Sequence, residues 1–574
     1  MPEVAAAFEG LEQTTKRGEM TRVLGGLLGR ASADEARKLA YLLEGRLGPA
    51  FQPIEFGMDE RLILRALAEA TDTPAAEVED VYRRVGDVGL TGEELLRGET
   101  SGLSLDRVYD TLRDIALASG AGAQERKVSL LRYLLGRLGP LESRYVLRIV
   151  QGRLRLGVGE ATIMDALSWA VTGDTRLRPA VEQAFNFCSD LGLVAEKLLA
   201  EGPDALARIR SQPGRPVRVA LAERLPSPQA IVAKLGLVQA EPKYDGLRLE
   251  LHKDGDAIWF FTRRLEAVTG MFPELVGAAR RQVQARQAIL DGEAVVYNPE
   301  TGEYRPFQVT VRRKRKYEIE EMEARYPLRL FVFDILFADG QDSTSLPLSQ
   351  RRQKLEEVLS WSADDPIQPT ERIVTADPAE LDGFFQEMVE RGLEGIVVKK
   401  LDAPYQAGQR SFNWVKLKRG YRAELRDTVD VVIVGYLVGR GKRARFGIGS
   451  LLGAVYDPEN DRYRTVSKIG SGLTDEEWQE MRRKLDEIRT PSRPPRVESI
   501  IEPDVWVEPT YAVEVRADEI TRSPRHTCGK EYGQPGYALR FPRVLRPRPD
   551  LGPEDVTTER EILDMYRQQS CARS

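Results

Sequence analysis

Residues 240–253 read "AEPKYDGLRLELHK". Lys243 stands between Pro242 and Tyr244 and is followed by Asp245 and Gly246. From Leu247 the chain alternates. Leu247, Leu249 and Leu251 point one way, and Arg248, Glu250 and His252 the other, the two-residue period of a half-buried strand. Asp254-Gly255 signals a tight hairpin turn, and "AIWFFTRR" (257–264) supplies the return strand. A lysine therefore sits at the mouth of a β-hairpin, and the rest of the chain has to explain why.

At 574 residues the chain is too long for one core, and three domains are expected. A 42% hydrophobic share is that of an ordinary globular protein. No apolar run approaches a membrane span and the N-terminus carries no signal-like apolar stretch, so a cytoplasmic protein with no membrane partner is expected. Cys188, Cys528 and Cys571 are too scattered for a zinc pattern or a disulfide framework. Two histidines, His252 and His526, exclude a histidine-rich metal site. The net charge of −5 argues against a uniformly basic surface, yet "VRRKRKY" (311–317) and "GRGKRARFG" (439–447) are local basic runs. Such a run taken alone is more often a solvated loop than a nucleic-acid face.

The first 200 or so residues read as helical, with Val128, Leu131, Leu134, Leu135 and Leu138 at helical spacing. The region repeats itself. "GMDERLILRAL" (57–67) matches "GVGEATIMDAL" (157–167), and "GDVGLTGEELL" (86–96) matches "SDLGLVAEKLL" (189–199). Gly89 pairs with Gly192 and Asp87 with Asp190, which suggests a pseudo-two-fold helical domain and not a solenoid. A Pro/Gly/Arg stretch, "EGPDALARIRSQPGRP" (201–216), reads as a linker. Strands and helices then mix up to about residue 418, with "AILDGEAVVY", "LRLFVFDILF" and "EGIVVKKL" as buried strands and "SQRRQKLEEVLS" as a charged helix. From about residue 420, short strands with glycine-rich turns suit a small β-barrel.

The middle region carries a coherent set of polar residues near strand ends: Lys243, Arg248, Arg263, Glu293, Glu394, Arg410, Lys416 and Lys418, with Phe333 among them. Each alone reads as surface, or for Phe333 as core. Together they differ. Arg248, Arg263, Arg410, Lys416 and Lys418 suit a polyphosphate, Glu293 and Glu394 suit Mg²⁺, the aromatic suits a base face, and Lys243 is left as a candidate nucleophile. No "GxxxxGK[ST]" loop and no "GxGxxG" in a βαβ unit appears, so nucleotide chemistry would need another design.

"KYDGLR", "DGEAVVY", "FVFDILF", "EGIVVKK" and "NWVKLK" resemble, in order, the motif series of the covalent nucleotidyltransferases. More narrowly, the chain resembles ATP-dependent DNA ligases of the archaeal and eukaryotic replicative type. "SLDRVYDTLRDIA", "FNFCSDLGLVAEKLL", "RPFQVTVRRKRKY", "GKRARFGIGSLLGAVYD" and "YALRFPRVLRP" extend the resemblance over nearly the whole chain. It implies an all-α DNA-binding domain at 1–210, an α+β, ATP-grasp-like nucleotidyltransferase domain at 211–419 and an all-β OB-fold at 420–574. It also implies nick sealing in DNA replication, recombination and repair, with ATP as cosubstrate and Mg²⁺, or Mn²⁺, as the metal. The partner would be nicked duplex DNA bound without regard to sequence by a monomer.

The resemblance makes Lys243 the residue that becomes adenylated. Neighbouring cations and desolvation are then expected to lower its pKa, since the attacking amine must be neutral. Glu241 is expected to read the adenine edge and Phe333 to stack on the ring. Arg248 and Arg263 are expected at ribose or phosphate, Glu293 and Glu394 on the metal, and Arg410, Lys416 and Lys418 on the ATP phosphates. Two departures stand out. The last family motif ends Arg-x-Asp-Lys, whereas "RPRPDL" has Arg548 and Asp550 but Leu551. The absent lysine is the one associated with the pyrophosphate, so Leu551→Lys is expected to speed self-adenylation if that lysine is limiting. A sliding-clamp peptide is also not evident, because "LLRGETSGLS" (95–104) contains no aromatic anchor.

Three rivals share parts of this pattern. An RNA ligase or capping enzyme shares the central chemistry but not the duplicated helical region. An NAD-dependent ligase would carry a four-cysteine zinc finger, which three dispersed cysteines cannot supply. A non-catalytic DNA-binding scaffold would have no reason to keep Lys243, Glu293, Glu394, Lys416 and Lys418 together.

Overall fold

The computed structural model describes residues 1–52, 54–97, 102–298, 304–305, 309–310, 313, 319–418, 428–438, 447–531 and 534–571. Both basic runs lie largely outside these residues, as does part of the 95–104 segment. No helix among the described residues is long and apolar enough to cross a membrane.

Both copies of the sequence repeat are helical. Helix Glu60–Thr71 corresponds to Glu160–Thr172, and Val88–Leu95 to Leu191–Glu201. Asp87 and Asp190 are the N-caps of the second pair and accept from Leu90 N and Leu193 N, each at 2.9 Å, so each satisfies a backbone donor that a helix start leaves open. The halves interlock. Glu60–Thr71 packs on Ala123–Leu135 of the second copy, while Glu160–Thr172 packs on Arg17–Leu28 of the first. One continuous apolar core from Met1 to Ile209 results, with Val128, Leu131, Leu134, Leu135 and Leu138 inside it.

The middle region is two sheets. One runs Leu221–Arg224, Arg410–Lys418, Gly395–Lys400, Val238–Pro242, Ile373–Thr375. The other runs Ala257–Thr262, Leu247–Asp254, Gln287–Val296, Leu328–Ala338, Gln341–Asp342, with Ile367–Pro369 parallel to Leu328–Ala338. Lys243 to Gly246 is the connector by which the chain passes from the first sheet to the second. The hairpin forms as expected, but Asp254 pairs with Ala257, so the two-residue turn is Gly255-Asp256 and not Asp254-Gly255.

The strand Leu247–Asp254 is buried on both faces, not half-buried. Its polar side packs against the linker that leaves the helical domain. Glu250 Oε2 accepts from Val217 N at 2.9 Å, and His252 Nδ1 takes Gly214 N at 3.2 Å. Burial pushes Glu250 well above the usual carboxylate range and holds His252 down to about 3. Alternation reports two faces of a strand and cannot say what covers the polar one.

The C-terminal region is a β domain of OB-fold type. Thr428–Leu437 pairs with Ser450–Asp457, Val505–Val507 and Ala512–Arg516, and Ala512–Arg516 pairs with Arg543–Pro547. Helices Asp475–Asp486 and Glu559–Cys571 accompany these strands. The helical and C-terminal domains touch directly. Thr162 Oγ1 donates to Asp461 Oδ2 at 2.9 Å, Arg17 Nη1 to Glu459 O at 2.7 Å, and Arg462 reaches Thr15 O.

Candidate active site

A pocket lies between the two middle sheets and the C-terminal domain, and Lys243 lines it. Two glycines let the backbones close around this residue. A Cβ on Gly246 would stand 2.3 Å from Ala294 O, and one on Gly395 would stand 2.1 Å from Leu417 O, so neither position admits a side chain. Lys243 N donates to Gly395 O at 2.9 Å, which pins the connector to the start of strand Gly395–Lys400. Glu394 then faces Lys243, with Nζ to Oε2 at 2.5 Å, and Lys418 Nζ is 3.5 Å from the same oxygen.

The electrostatics differ from expectation at one point. Burial favours a neutral Lys243, but Glu394, with Glu293 and Asp245 behind it, outweighs burial and raises the lysine's pKa. The nearest charges are acids, not the expected cations. Glu394 is correspondingly held well below its usual range, burial being overcome by Lys243, Lys418 and Arg546. The depressed lysine is Lys416, through burial and then Arg224. Glu293 is pushed up to about 8 by burial, which Lys243 and Arg248 only partly offset.

The other expected residues also line this pocket. Arg248 grips Asp291 with Nε at 3.0 Å and Nη2 at 2.6 Å, and its guanidinium lies 5.3 Å from the Phe333 ring centre. Phe333 meets Trp414 edge to face at 5.9 Å. Glu241 pairs with Lys399 at 2.7 Å and accepts from Gln239 Nε2 at 2.6 Å. Arg263 lies 3.3 Å from Asp555, and Arg410 2.6 Å from Glu561.

Several lining residues were not legible as site residues. Lys399 is 1% exposed, with Nζ 4.4 Å from the Phe333 ring centre and 4.2 Å from that of Trp414. Its place in "EGIVVKK", directly after the apolar run of a buried strand, was the available signal. Behind the pocket wall, the fully buried Asp291, which holds Arg248, accepts from Tyr405 OH at Oδ2 at 2.8 Å. Arg548 and Asp550 belong to the last family motif, and they line the pocket together with Arg546 and Glu561 of the same remote domain; for Glu561 no local pattern points here.

A metal fits the donor chemistry. A buried carboxylate whose proton affinity is raised, as at Glu293, is one that a bound cation would stabilise in its charged form. Among the described residues no group of three or more His, Cys, Asp and Glu is arranged to hold a metal ion. Two carboxylates plus substrate phosphates and water are what a hard cation such as Mg²⁺ commonly takes.

Residues 219–418 match the family description "ATP dependent DNA ligase domain", residues 1–168 "DNA ligase N terminus" and residues 444–551 "ATP dependent DNA ligase C terminal region". The chain is similar to the "Probable DNA ligase" of Dictyoglomus thermophilum, 53% identical over 568 residues, spanning 99% of this chain and 97% of that protein. It is also similar to the DNA ligase of Staphylothermus marinus, 42% identical over 590 residues, spanning 99% and 98% of the two chains. The chain belongs to the ATP-dependent DNA ligases. It is an ATP-using enzyme that seals breaks in DNA.

Proposed function

We propose that Lys243 carries AMP from ATP to the 5′-phosphate of a nick, and that the domains divide as 1–210 for duplex binding, 211–419 for adenylation and 420–574 for closure over the pocket. The observation that carries this reading is the Lys243 amine at 2.5 Å from Glu394 in a pocket walled by cations and an aromatic ring.

In the first step the neutral Lys243 Nζ attacks the α-phosphorus. The N–P bond forms, the α–β bridging P–O bond breaks with its electron pair on pyrophosphate, and the amine proton passes to water. Phe333 supports the base, Glu241 its edge, and Arg248 and Arg263 the ribose and α-phosphate. Arg410, Lys416 and Lys418 take the outer phosphates, whose charge would raise the proton affinity that burial lowers at Lys416. In the second step a 5′-phosphate oxygen displaces Lys243 from AMP. In the third the 3′-hydroxyl attacks that phosphate and AMP leaves. Positioning and charge neutralisation carry most of such transfers. Glu293 and Glu394 would hold Mg²⁺, or Mn²⁺, which when bound supplies charge neutralisation at the transferring phosphate.

Nicks occur in any sequence, so binding rests on Lys and Arg contacts to the DNA backbone and weakens with salt. We further propose a cytoplasmic monomer with no clamp-binding peptide in 97–106. Lys243→Ala tests the central reading. With α-labelled ATP it forms no labelled protein and seals no ordinary nick, yet it still joins a nick supplied with a 5′-adenylate. Retained labelling overturns the assignment.

A further inference from the structure

The family motif places a lysine where this chain has Leu551, and Leu551 cannot reach the pocket. It is 1% exposed and packs in an apolar cluster with Val432, Leu452 and Val556. The C-terminal domain nevertheless brings two cations, Arg546 and Arg548, to the pocket wall. Arg548 bonds acids of its own domain, Asp430 at 2.9 Å and Asp550 at 2.7 Å. Arg546 reaches across. Its Nη1 lies 2.9 Å from Asp245, two residues past Lys243, and its Nη2 lies 3.4 Å from Glu394 Oε1. Glu394's other oxygen is the one on Lys243. Glu514, opposite Arg546 on the paired strand, holds its Nε at 2.5 Å and so fixes the plane of the guanidinium.

We infer that Arg546 is the cation this C-terminal domain contributes to the adenylation of Lys243, acting on the phosphates that leave, in the role the family motif gives to the residue replaced here by Leu551. The inference rests on Lys243 being the AMP carrier. Both Nη groups now lie on acids of the catalytic domain. Glu394 is one that a metal-bound nucleotide would draw away. Nη2 would then turn to a phosphate oxygen while Nη1 keeps the guanidinium anchored on Asp245 beside Lys243. As the α–β P–O bond breaks, negative charge grows on pyrophosphate and the guanidinium offsets it. In the third step no pyrophosphate is present, so that role has nothing to act on.

R546A, R546K and K243A should be compared in three assays: single-turnover labelling with α-labelled ATP, discharge of the adenylated enzyme against pyrophosphate concentration, and joining of a 5′-adenylated nick. Loss of a donor aimed at developing charge commonly costs about 10²–10³-fold. R546A should therefore label on the order of 100-fold more slowly and need more pyrophosphate for half-maximal discharge, with joining of the 5′-adenylated nick little changed. R546K, which keeps the charge but not the fork, should fall between, and it carries the test if R546A melts early. Labelling of R546A at the wild-type rate overturns the inference. So does equal loss in all three assays, the mark of a merely structural contact. A labelled band in K243A overturns the Lys243 reading instead, and this inference with it.

Discussion

The Lys243 ammonium and the Glu394 carboxylate form an ion pair at 2.5 Å, and Arg546 of the C-terminal domain lies 3.4 Å from the carboxylate's second oxygen. The candidate nucleophile is therefore held protonated by an acid whose charge is shared with another domain. Whatever draws Glu394 away, a metal or a closing guanidinium, also favours the neutral amine.

Glu394→Gln removes the charge that outweighs burial at Lys243, so the lysine's pKa falls. In nucleotide-free protein, modification of Lys243 by an amine reagent, mapped by peptide mass, should reach half its maximal rate at a lower pH in the variant. An unshifted profile would mean that Glu394 does not control the proton.

Glu293 carries an acid pKa raised to about 8, so its ionisation opposes folding. The cost is absent below the unfolded carboxylate pKa of about 4.3, grows as pH rises, and is complete above pH 8. Without metal, Glu293→Gln should raise the melting temperature at pH 8 and leave it unchanged near pH 4. At about 1.4 kcal/mol per unit, the scale is a few kcal/mol at most. A variant less stable at pH 8 refutes the reading.

Phe333→Ala should raise KM for ATP, since stacking of a base on an aromatic ring contributes about 1–3 kcal/mol. Because Phe333 also meets Trp414, melting should be measured alongside. A lower melting temperature with KM unchanged would make Phe333 a packing residue.

Leu551→Lys looks from the sequence like repair of a motif. In the fold it places a charge in the cluster with Val432, Leu452 and Val556. The expected outcome is loss of stability by several kcal/mol, about the cost of an unpaired buried charge, with no gain in self-adenylation. Faster labelling at an unchanged melting temperature would reverse this conclusion.

Asp461 holds the helical domain through Thr162 and also accepts from Tyr456 OH at 2.8 Å. Asp461→Ala should loosen the contact between the helical and C-terminal domains and increase the radius of gyration of the DNA-free protein. Small-angle scattering identical to wild type would show that other contacts hold the domains together.

By itself the sequence determined the internal repeat of the helical region, the strands that carry Glu293 and Phe333 or end beside Lys243 and Glu394, and the family motif order. These are local or evenly spaced signals: caps at Asp87 and Asp190, alternation from Leu247, and a glycine beside each of Lys243's neighbours. Tertiary structure decided what lies across from them. That the polar face of Leu247–Asp254 is buried, that Lys243 meets Glu394 before any cation, and that Leu551 is core while Arg546 reaches Asp245 are consequences of two sheets and a remote domain closing on one pocket. Charges about 300 residues apart along the chain leave no periodic trace, because their energy depends on distance and desolvation in space and not on spacing in sequence.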